Sequence, residues 1–355
     1  MLIYADRRFL GQNRLHIPML IPFWGQYPNA GDPSAVNRFD RYAIAGRQYF
    51  EIAPLDRADI AVWPADWDLA QPDLRGYELA AAAKARNARL AVFFGGDPTE
   101  PLAIDNSVIF RNSLYRSSCG PNEFALPGFC QDLVDVYCDG ELKLRPYQER
   151  PVVGFCGHAM GFKEGARYQL LTRLPASAVR RLVGLGLQPS VAPGRILRTR
   201  AMQAFAGSPD VRTDFLVRQL FWNGVLANGG RMDIRLARRS RLEFVQNLLN
   251  SDYALCVRGF GNYSYRLYEA MSLGRIPVLV DTDCALPYDR WIDWKRYVVW
   301  IDQSEVHDAP RRVAEFHASL TAAAFAELQR ACRQLWEEWL SPEGYFANFH
   351  RHFSG

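Results

Sequence analysis

The stretch SDYALCVRGFGNYSYRLYEAMSLGRIPVLVDTD, Ser251 to Asp283, decides the fold. DYALCV is a short apolar run suited to a central strand, and RGFGNYS is a glycine-rich turn. Ser264 or Asn262 is expected to cap the helix that follows, since either side-chain oxygen can accept an orphan backbone N–H. The helix should run to Leu273, with Gly274 taking the left-handed position that ends it. Pro277 then marks the entry to the strand PVLV. The unit is β-α-β. On a helical wheel Leu267, Tyr268 and Met271 share one arc and should face the sheet. Arg266 and Glu269 lie off that arc, one turn apart.

A helix N-terminus presents free N–H groups and partial positive charge, which favours a phosphate. Gly259 and Gly261, placed just before it, let backbone approach a ligand closely. Arg258 at the strand end and Arg266 in the first helical turn would add bidentate donors for a diphosphate. Glu269, one turn further, could accept two hydrogen bonds from the vicinal hydroxyls of a ribose. The plainer alternative is that Arg266 and Glu269 form a surface i,i+3 ion pair, worth only a few tenths of a kcal/mol.

Outward from this unit, 355 residues suffice for about two domains. Hydrophobic residues make up 49%, so a sizeable core is expected and intrinsic disorder is not. A net charge of +4 is small for this length and argues against a nucleic-acid partner. The seven cysteines are odd in number and scattered, with no C-x-x-C pair. That fits reduced thiols of a cytoplasmic protein better than a disulfide framework. No run of 18 or more apolar residues occurs, so no transmembrane segment is expected, and peripheral contact with a membrane surface stays open.

Short apolar runs alternate with helical patterns along the chain. ADIAVWP (58–64), RLAVFFGG (89–96) and NSVIFRN (106–112) read as strands, and GYELAAAAKARN (76–87) as a helix. A polar stretch, 139–151, reads as a linker after a first domain of residues 1–145. PVVGFCG (151–157) then opens a second domain, 151–305, with helices near 166–174, 192–205 and 237–250 and a strand at KRYVVWI (295–301). Helices at 308–319 and 322–340 belong to a last segment, 306–355, that should pack back toward the first domain. Strands alternating with helices imply two α/β domains with parallel sheets. Ligands of such sheets bind at the carboxyl ends of strands. Gly95, Gly96, Gly154, Gly157, Gly259 and Gly261 all fall there.

The run RGFGNYSYRLYEAMSLGRIPVLVDTDCALPYDRWIDW resembles the C-terminal signature of exostosin-like glycosyltransferases. It carries their R-G-x-G-N-x-S-x-R-x-x-E-A pattern, the G-x-I-P-V turn and a later L-P…W. The likeness is most marked over residues 243–300, weaker around PNEFALPGFCQD (121–132), and faint elsewhere. It implies a GT-B fold, two Rossmann-like domains facing a cleft, with the nucleotide sugar held mainly by the C-terminal one. It also implies transfer with inversion, without a cofactor or metal, to an oligosaccharide or lipid-linked glycan. Family tendency favours UDP. By matching positions, Arg258, Ser264 and Arg266 would contact the diphosphate and Glu269 the ribose, with Gly259, Gly261 and Asn262 shaping the donor loop. Animal exostosins are membrane-anchored in the Golgi. This chain reads instead as a stand-alone bacterial relative of the cytoplasm.

Inverting transfer needs a base to take the acceptor proton. Asp97 directly follows a strand end and is the first choice, Glu123 the second and Asp32 the third. For Asp97 the competing reading is a turn residue before Pro98. Gly157 and His158 could face the donor, although a lone loop histidine is more often solvated. Trp24, Trp63 and Trp67 could stack on a sugar but fit packing better. RLARRSR (235–241) reads first as a solvated helix face. DTD, with Asp281 and Asp283, follows a C-terminal strand and leaves a metal open there, but the resemblance implies cationic side chains and helix dipoles in its place. Two rivals share these features: a GT-B isomerase or phosphorylase, and a non-catalytic nucleotide- or glycan-binding module.

Overall fold

The computed structural model describes residues 1–28, 31–159, 193–226 and 231–353. Two parallel sheets organise them. The first has the order β2-β1-β3-β4-β5-β6, with β1 Leu2–Tyr4, β2 Glu51–Ile52, β3 Ile60–Val62, β4 Arg89–Phe94, β5 Ser107–Arg111 and β6 Glu123–Ala125. The second has the order β11-β10-β9-β7-β8, with β7 Val152–His158, β8 Arg212–Arg218, β9 Tyr253–Cys256, β10 Ile276–Asp281 and β11 Val299–Asp302. Every pairing between these strands is parallel. The chain is therefore the pair of Rossmann-like α/β units that the sequence pattern and the exostosin resemblance both imply.

Central strands of such sheets are covered on both faces, so they read as continuous apolar runs. All six residues of β10 and all five of β5 are buried. Helices begin where an acidic cap accepts an orphan N–H. Asp73 accepts from Arg75 N ahead of α1 (Leu74–Lys84), and Asp233 from Leu236 N ahead of α2 (Ile234–Asn250). Helix α3 (Tyr265–Ser272) ends with Gly274 at φ +66°, as expected. Its start differs. Ser264 occupies the N-cap position without a side-chain cap bond, and Asn262 is bonded instead to Ser113 and Leu114 of the first unit.

Two other elements depart from expectation. Lys295 falls in a single 3-10 turn, Trp294–Arg296, and the strand starts only at Val299. The last long helix, α4 (Ala322–Leu335), gives way to a π-turn at Trp336–Leu340. The helix expected near 166–174 lies outside the described residues. The polar connection 139–151 holds no regular element, yet it is pinned. Arg145 Nε meets Asp252 at 2.9 Å, and Arg275 donates to the Lys143 carbonyl at 2.6 Å. All seven cysteines are free, six of them buried.

The C-terminal segment covers the first sheet. Phe346 stacks on Tyr42 at 4.4 Å, and Phe349 lies 4.7 Å from Phe110. His352 closes this aromatic cluster, 4.4 Å from Phe124 and 4.8 Å from Tyr288, and neither of its ring nitrogens has a hydrogen-bond partner. Burial, with Arg290 and His350 nearby, pushes its pKa down to about 3. The unfolded chain, near the ordinary value of about 6.5, binds a proton that the folded one refuses. Stability should thus fall as pH drops through that window, by about 1.4 kcal/mol per unit. Urea unfolding at pH 7 and pH 5 should show a loss of about 2 kcal/mol that His352→Phe removes; an unchanged slope in the variant would refute the assignment.

Candidate functional site

In the second sheet the strand order reverses between β7 and β9, the switch point where open α/β sheets hold ligands. Gly157 and His158 end β7, and Arg258 begins the turn after β9. The helix Pro193–Ala206 runs its first turn against the glycine loop. A Cβ on Gly194 would lie 2.0 Å from the Gly259 carbonyl oxygen and 2.5 Å from that of Arg258. Only glycine permits that approach. From the same helix Arg198 donates to the His158 carbonyl at 3.0 Å and the Val257 carbonyl at 3.2 Å. It thereby bridges the ends of β7 and β9.

Arginines crowd this point. Arg266 is buried, donates to the Cys156 carbonyl at 2.5 Å, and lies with its guanidinium 4.1 Å from the Phe155 ring centroid. Gly157 has no Cβ because Arg266 Nη2 would sit 2.7 Å from it. Arg258 donates to the Tyr115 hydroxyl at 2.7 Å and to the Phe260 carbonyl at 3.0 Å. The Nε atoms of Arg195, Arg218, Arg258 and Arg266 are all buried without a partner. Among the described residues, Arg218 meets Glu243 at 3.4 Å, while Arg195, Arg198, Arg258 and Arg266 meet no carboxylate. Burial first, then the proximity of Arg266, holds Arg198 below the ordinary arginine range. Burial, then Arg195 and Arg198, likewise lowers His158. Uncompensated buried cations are costly, and an anionic ligand is what would relieve them.

Arg266 thus departs from its expected place off the apolar arc. It also makes no ion pair with Glu269. The carboxylate of Glu269 is bound instead by Arg241 of α2, whose Nε reaches Gln131 Oε1 at 3.0 Å. Arg241 is 9% and Glu269 13% exposed, so the pair is internal. The rest of RLARRSR does form a solvated face, with Arg235, Arg238 and Arg239 exposed.

Across the cleft, Asp97 follows β4 as expected and reaches the glycine loop. A Cβ on Gly261 would fall 2.4 Å from Asp97 Oδ1, and burial first, then the nearby Tyr265 and Asp97, raises the Tyr263 phenol above its ordinary range. Glu123 is placed otherwise. It binds the wholly buried Arg111 at 3.0 Å and accepts from Gly120 N at 3.0 Å, which makes it a structural partner. Asp32 accepts from Ser34 N at 2.8 Å, a turn residue. Asn262 is turned toward the first unit. Its N–H donates to Ser113 Oγ at 2.8 Å, its Nδ2 to the Leu114 carbonyl at 3.2 Å, and its Oδ1 accepts from Thr282 at 2.6 Å. Asp281 binds Arg116 at 2.8 Å, and Asp283 accepts from Ser117. Among the described residues no three His, Cys, Asp or Glu side chains gather as metal ligands. Trp63 and Trp67 are buried packing residues, and half-buried Trp24 carries Arg7 at 5.2 Å.

The sequence reading passed over Arg195 and Arg198, although their i,i+3 spacing at the start of a helix was visible. It also passed over Asp66, which lies after β3 among turn-forming residues.

Residues 199–316 match a family model described as the Exostosin GT47 domain. Exostosin-1 of Drosophila melanogaster is 32% identical over 99 residues, 28% of this chain and 12% of that protein. A protein of Oryza sativa subsp. japonica named "Probable glucuronosyltransferase" is 33% identical over 63 residues, 18% of this chain and 14% of its own length. The matched region thus spans only a small part of these relatives. A solved glycosyltransferase structure from Rickettsia africae aligns over 93% of this chain and 85% of its own, at 9% identity and a TM-score of 0.34. The stretch similar to the Exostosin GT47 domain, residues 199–316, holds Arg258, Arg266 and Glu269.

Proposed function

We propose that the protein transfers a sugar from a nucleoside diphosphate sugar to a saccharide hydroxyl presented in the cleft between the two sheets. One observation carries the reading: a group of guanidinium side chains at the β7/β9 switch point, several with a buried, unpartnered Nε and no carboxylate among the described residues. A diphosphate is the ligand that such a group fits, by charge and by bidentate hydrogen bonding. Arg258 and Arg198 are closest to the glycine loop and would hold it. As the bond to the sugar breaks, negative charge grows on the diphosphate. Fixed cations there are stronger in the transition state than in the ground state, which is the condition for catalysis. The same cations supply the stabilisation that a divalent metal would otherwise give. Glu269, held by Arg241, is placed past the phosphate end of its helix and would take the ribose diol.

UDP is the nucleotide to try first, on family tendency. The name of the rice relative makes a uronosyl group the first sugar to try. Thermal denaturation against UDP-, GDP- and CMP-sugars tests the donor. A ligand at 100 times its dissociation constant should add about 2.7 kcal/mol of stability. Release of the nucleotide should then depend on an added saccharide and persist in EDTA. Conversion of the donor without any acceptor would favour an isomerase, and tight binding without release would favour a non-catalytic module.

A further inference from the structure

The first sheet has a switch point too, between β1 and β3, and a cleft opens beside it. Its volume is about 280 Å³. It collects the segments that leave three neighbouring strands: Asp66 after β3, Gly95 after β4 and Asn112 after β5. Its walls are mixed. The rings of His16, Tyr27 and Tyr265 present aromatic surface, while Asp66 and Asn112 present oxygen and nitrogen. Small-molecule sites combine apolar faces with a few fixed polar groups in this way. A saccharide has that same duality, with C–H faces and a rim of hydroxyls.

Tyr265 ties this cleft to the arginine group. It is the first residue of α3, and Arg266, the second, lies at the β7/β9 switch point. Tyr265 reaches across to the first unit because Gly128 has no side chain: a Cβ there would fall 2.5 Å from Tyr265 Cδ1. The first turn of α3 therefore carries a residue of each site.

Asp66 is oriented within the cleft. Its Oδ1 accepts from Gly95 N at 2.7 Å, and no ion pair engages it among the described residues. Arg14 turns instead to Asp68, at 3.4 Å. Asp66 stays accessible at the cleft mouth, and desolvation by the surrounding walls is the largest cause of a pKa above the ordinary carboxylate range. Asp97 is placed differently, with its carboxylate against the glycine loop at Gly261.

We propose that this cleft is the acceptor-saccharide subsite and that Asp66, rather than Asp97, is the general base. The proposal rests on the transfer reading above, with inversion. The acceptor hydroxyl oxygen forms a bond to the anomeric carbon while its proton passes to the Asp66 carboxylate. The bond from the anomeric carbon to the diphosphate oxygen breaks, and its electron pair leaves with the diphosphate, which the arginines hold. Asp66 in its carboxylate form is the species that acts.

Three measurements decide it, on the full chain with wild type, Asp66→Asn and Asp97→Asn. Asn can still accept the Gly95 N–H, so the loop should survive. Calorimetric titration with UDP should give the same affinity for all three. Release of UDP from UDP-glucuronic acid, with methyl glycosides of glucose, galactose, xylose and glucuronic acid as acceptors, should fall about 10²–10⁴-fold in Asp66→Asn. Asp97→Asn should stay within about tenfold of wild type, below the usual cost of losing a base. Wild-type turnover in Asp66→Asn, or the larger loss in Asp97→Asn, overturns the assignment. The third measurement needs no turnover. Carbodiimide coupling of glycine ethyl ester, mapped by mass spectrometry, should label Asp66 and be blocked by at least one of the methyl glycosides. Labelling that none of them blocks overturns the subsite. Wild type that binds UDP and never releases it from the sugar refutes the transfer reading and the base role with it, while the labelling still decides the subsite.

Discussion

Glu269→Ala should destabilise the fold by about 3–5 kcal/mol, the usual cost of stranding one member of a buried ion pair. Arg241, 9% exposed, would keep its charge and lose its only carboxylate among the described residues. Its bond to Gln131 would remain, and Gln131 itself donates to the carbonyls of Pro33 and Val36. The loss should therefore reach the first unit as well as the second. Urea unfolding measures it. Replacing both partners by apolar residues, Arg241→Met with Glu269→Leu, should recover most of the stability, since a well-packed apolar pair can match a buried ion pair. Loss below about 1 kcal/mol in Glu269→Ala would show that water reaches and solvates Arg241. The milder Glu269→Gln then serves to test the ribose role: it should weaken UDP and leave 2′,3′-dideoxy-UDP unchanged. Equal effects on both nucleotides would make Glu269 a structural residue only.

Arg258→Ala should weaken UDP binding about 10- to 150-fold, which corresponds to the 1.5–3 kcal/mol of a charged hydrogen bond. Arg258 also donates to Tyr115 across the cleft, so its removal could act through the first unit instead. Tyr115→Phe separates the two. It deletes that hydrogen bond and keeps the ring under the guanidinium, which stands 5.6 Å from its centroid. UDP affinity should stay within about threefold of wild type, the scale of a few tenths of a kcal/mol. Calorimetry showing equal losses in both variants would assign Arg258 to holding the units together.

The two parallel sheets were legible because their strands are buried on both faces, and continuous apolar runs such as IPVLV leave few other readings. Gly274 announced its own helix end. The arginines were harder to place. A helical wheel sorts residues by apolarity, and it put Arg266 outside. The strand-end carbonyl of Cys156 and the face of Phe155 provide a buried berth for a guanidinium, and neither can be seen in the pattern of α3. Glu269 found its partner 28 residues upstream on another helix, where a local i,i+3 reading does not look. Glu123 and Asp32 looked available as carboxylates because the sequence does not show that Arg111 and Ser34 already hold them. Asp66 is the converse case: it sits in the ordinary turn sequence WPADWD, and only the walls that fold around it set it apart.

The contacts of Asn262 belong to a longer row. Tyr115 and Cys284 form an isolated antiparallel bridge, Arg116 N donates to the Asp283 carbonyl at 2.8 Å, and Ala285 N to that of Leu114 at 3.1 Å. Backbone thus joins backbone along one flank, between the end of β5 and the end of β10. On the side of His16 and Tyr265 the units meet through side chains around an open space. Fastened in this unequal way, the molecule has the build of a door hung on one jamb. If the gap widens by a swing about residues 113–117 and 281–285, those residues would move least and Asp66 and Tyr265 would move furthest apart. A saccharide would enter from the free edge, and the swing that admits it would also draw the carboxylate away from the anomeric carbon until the door closes.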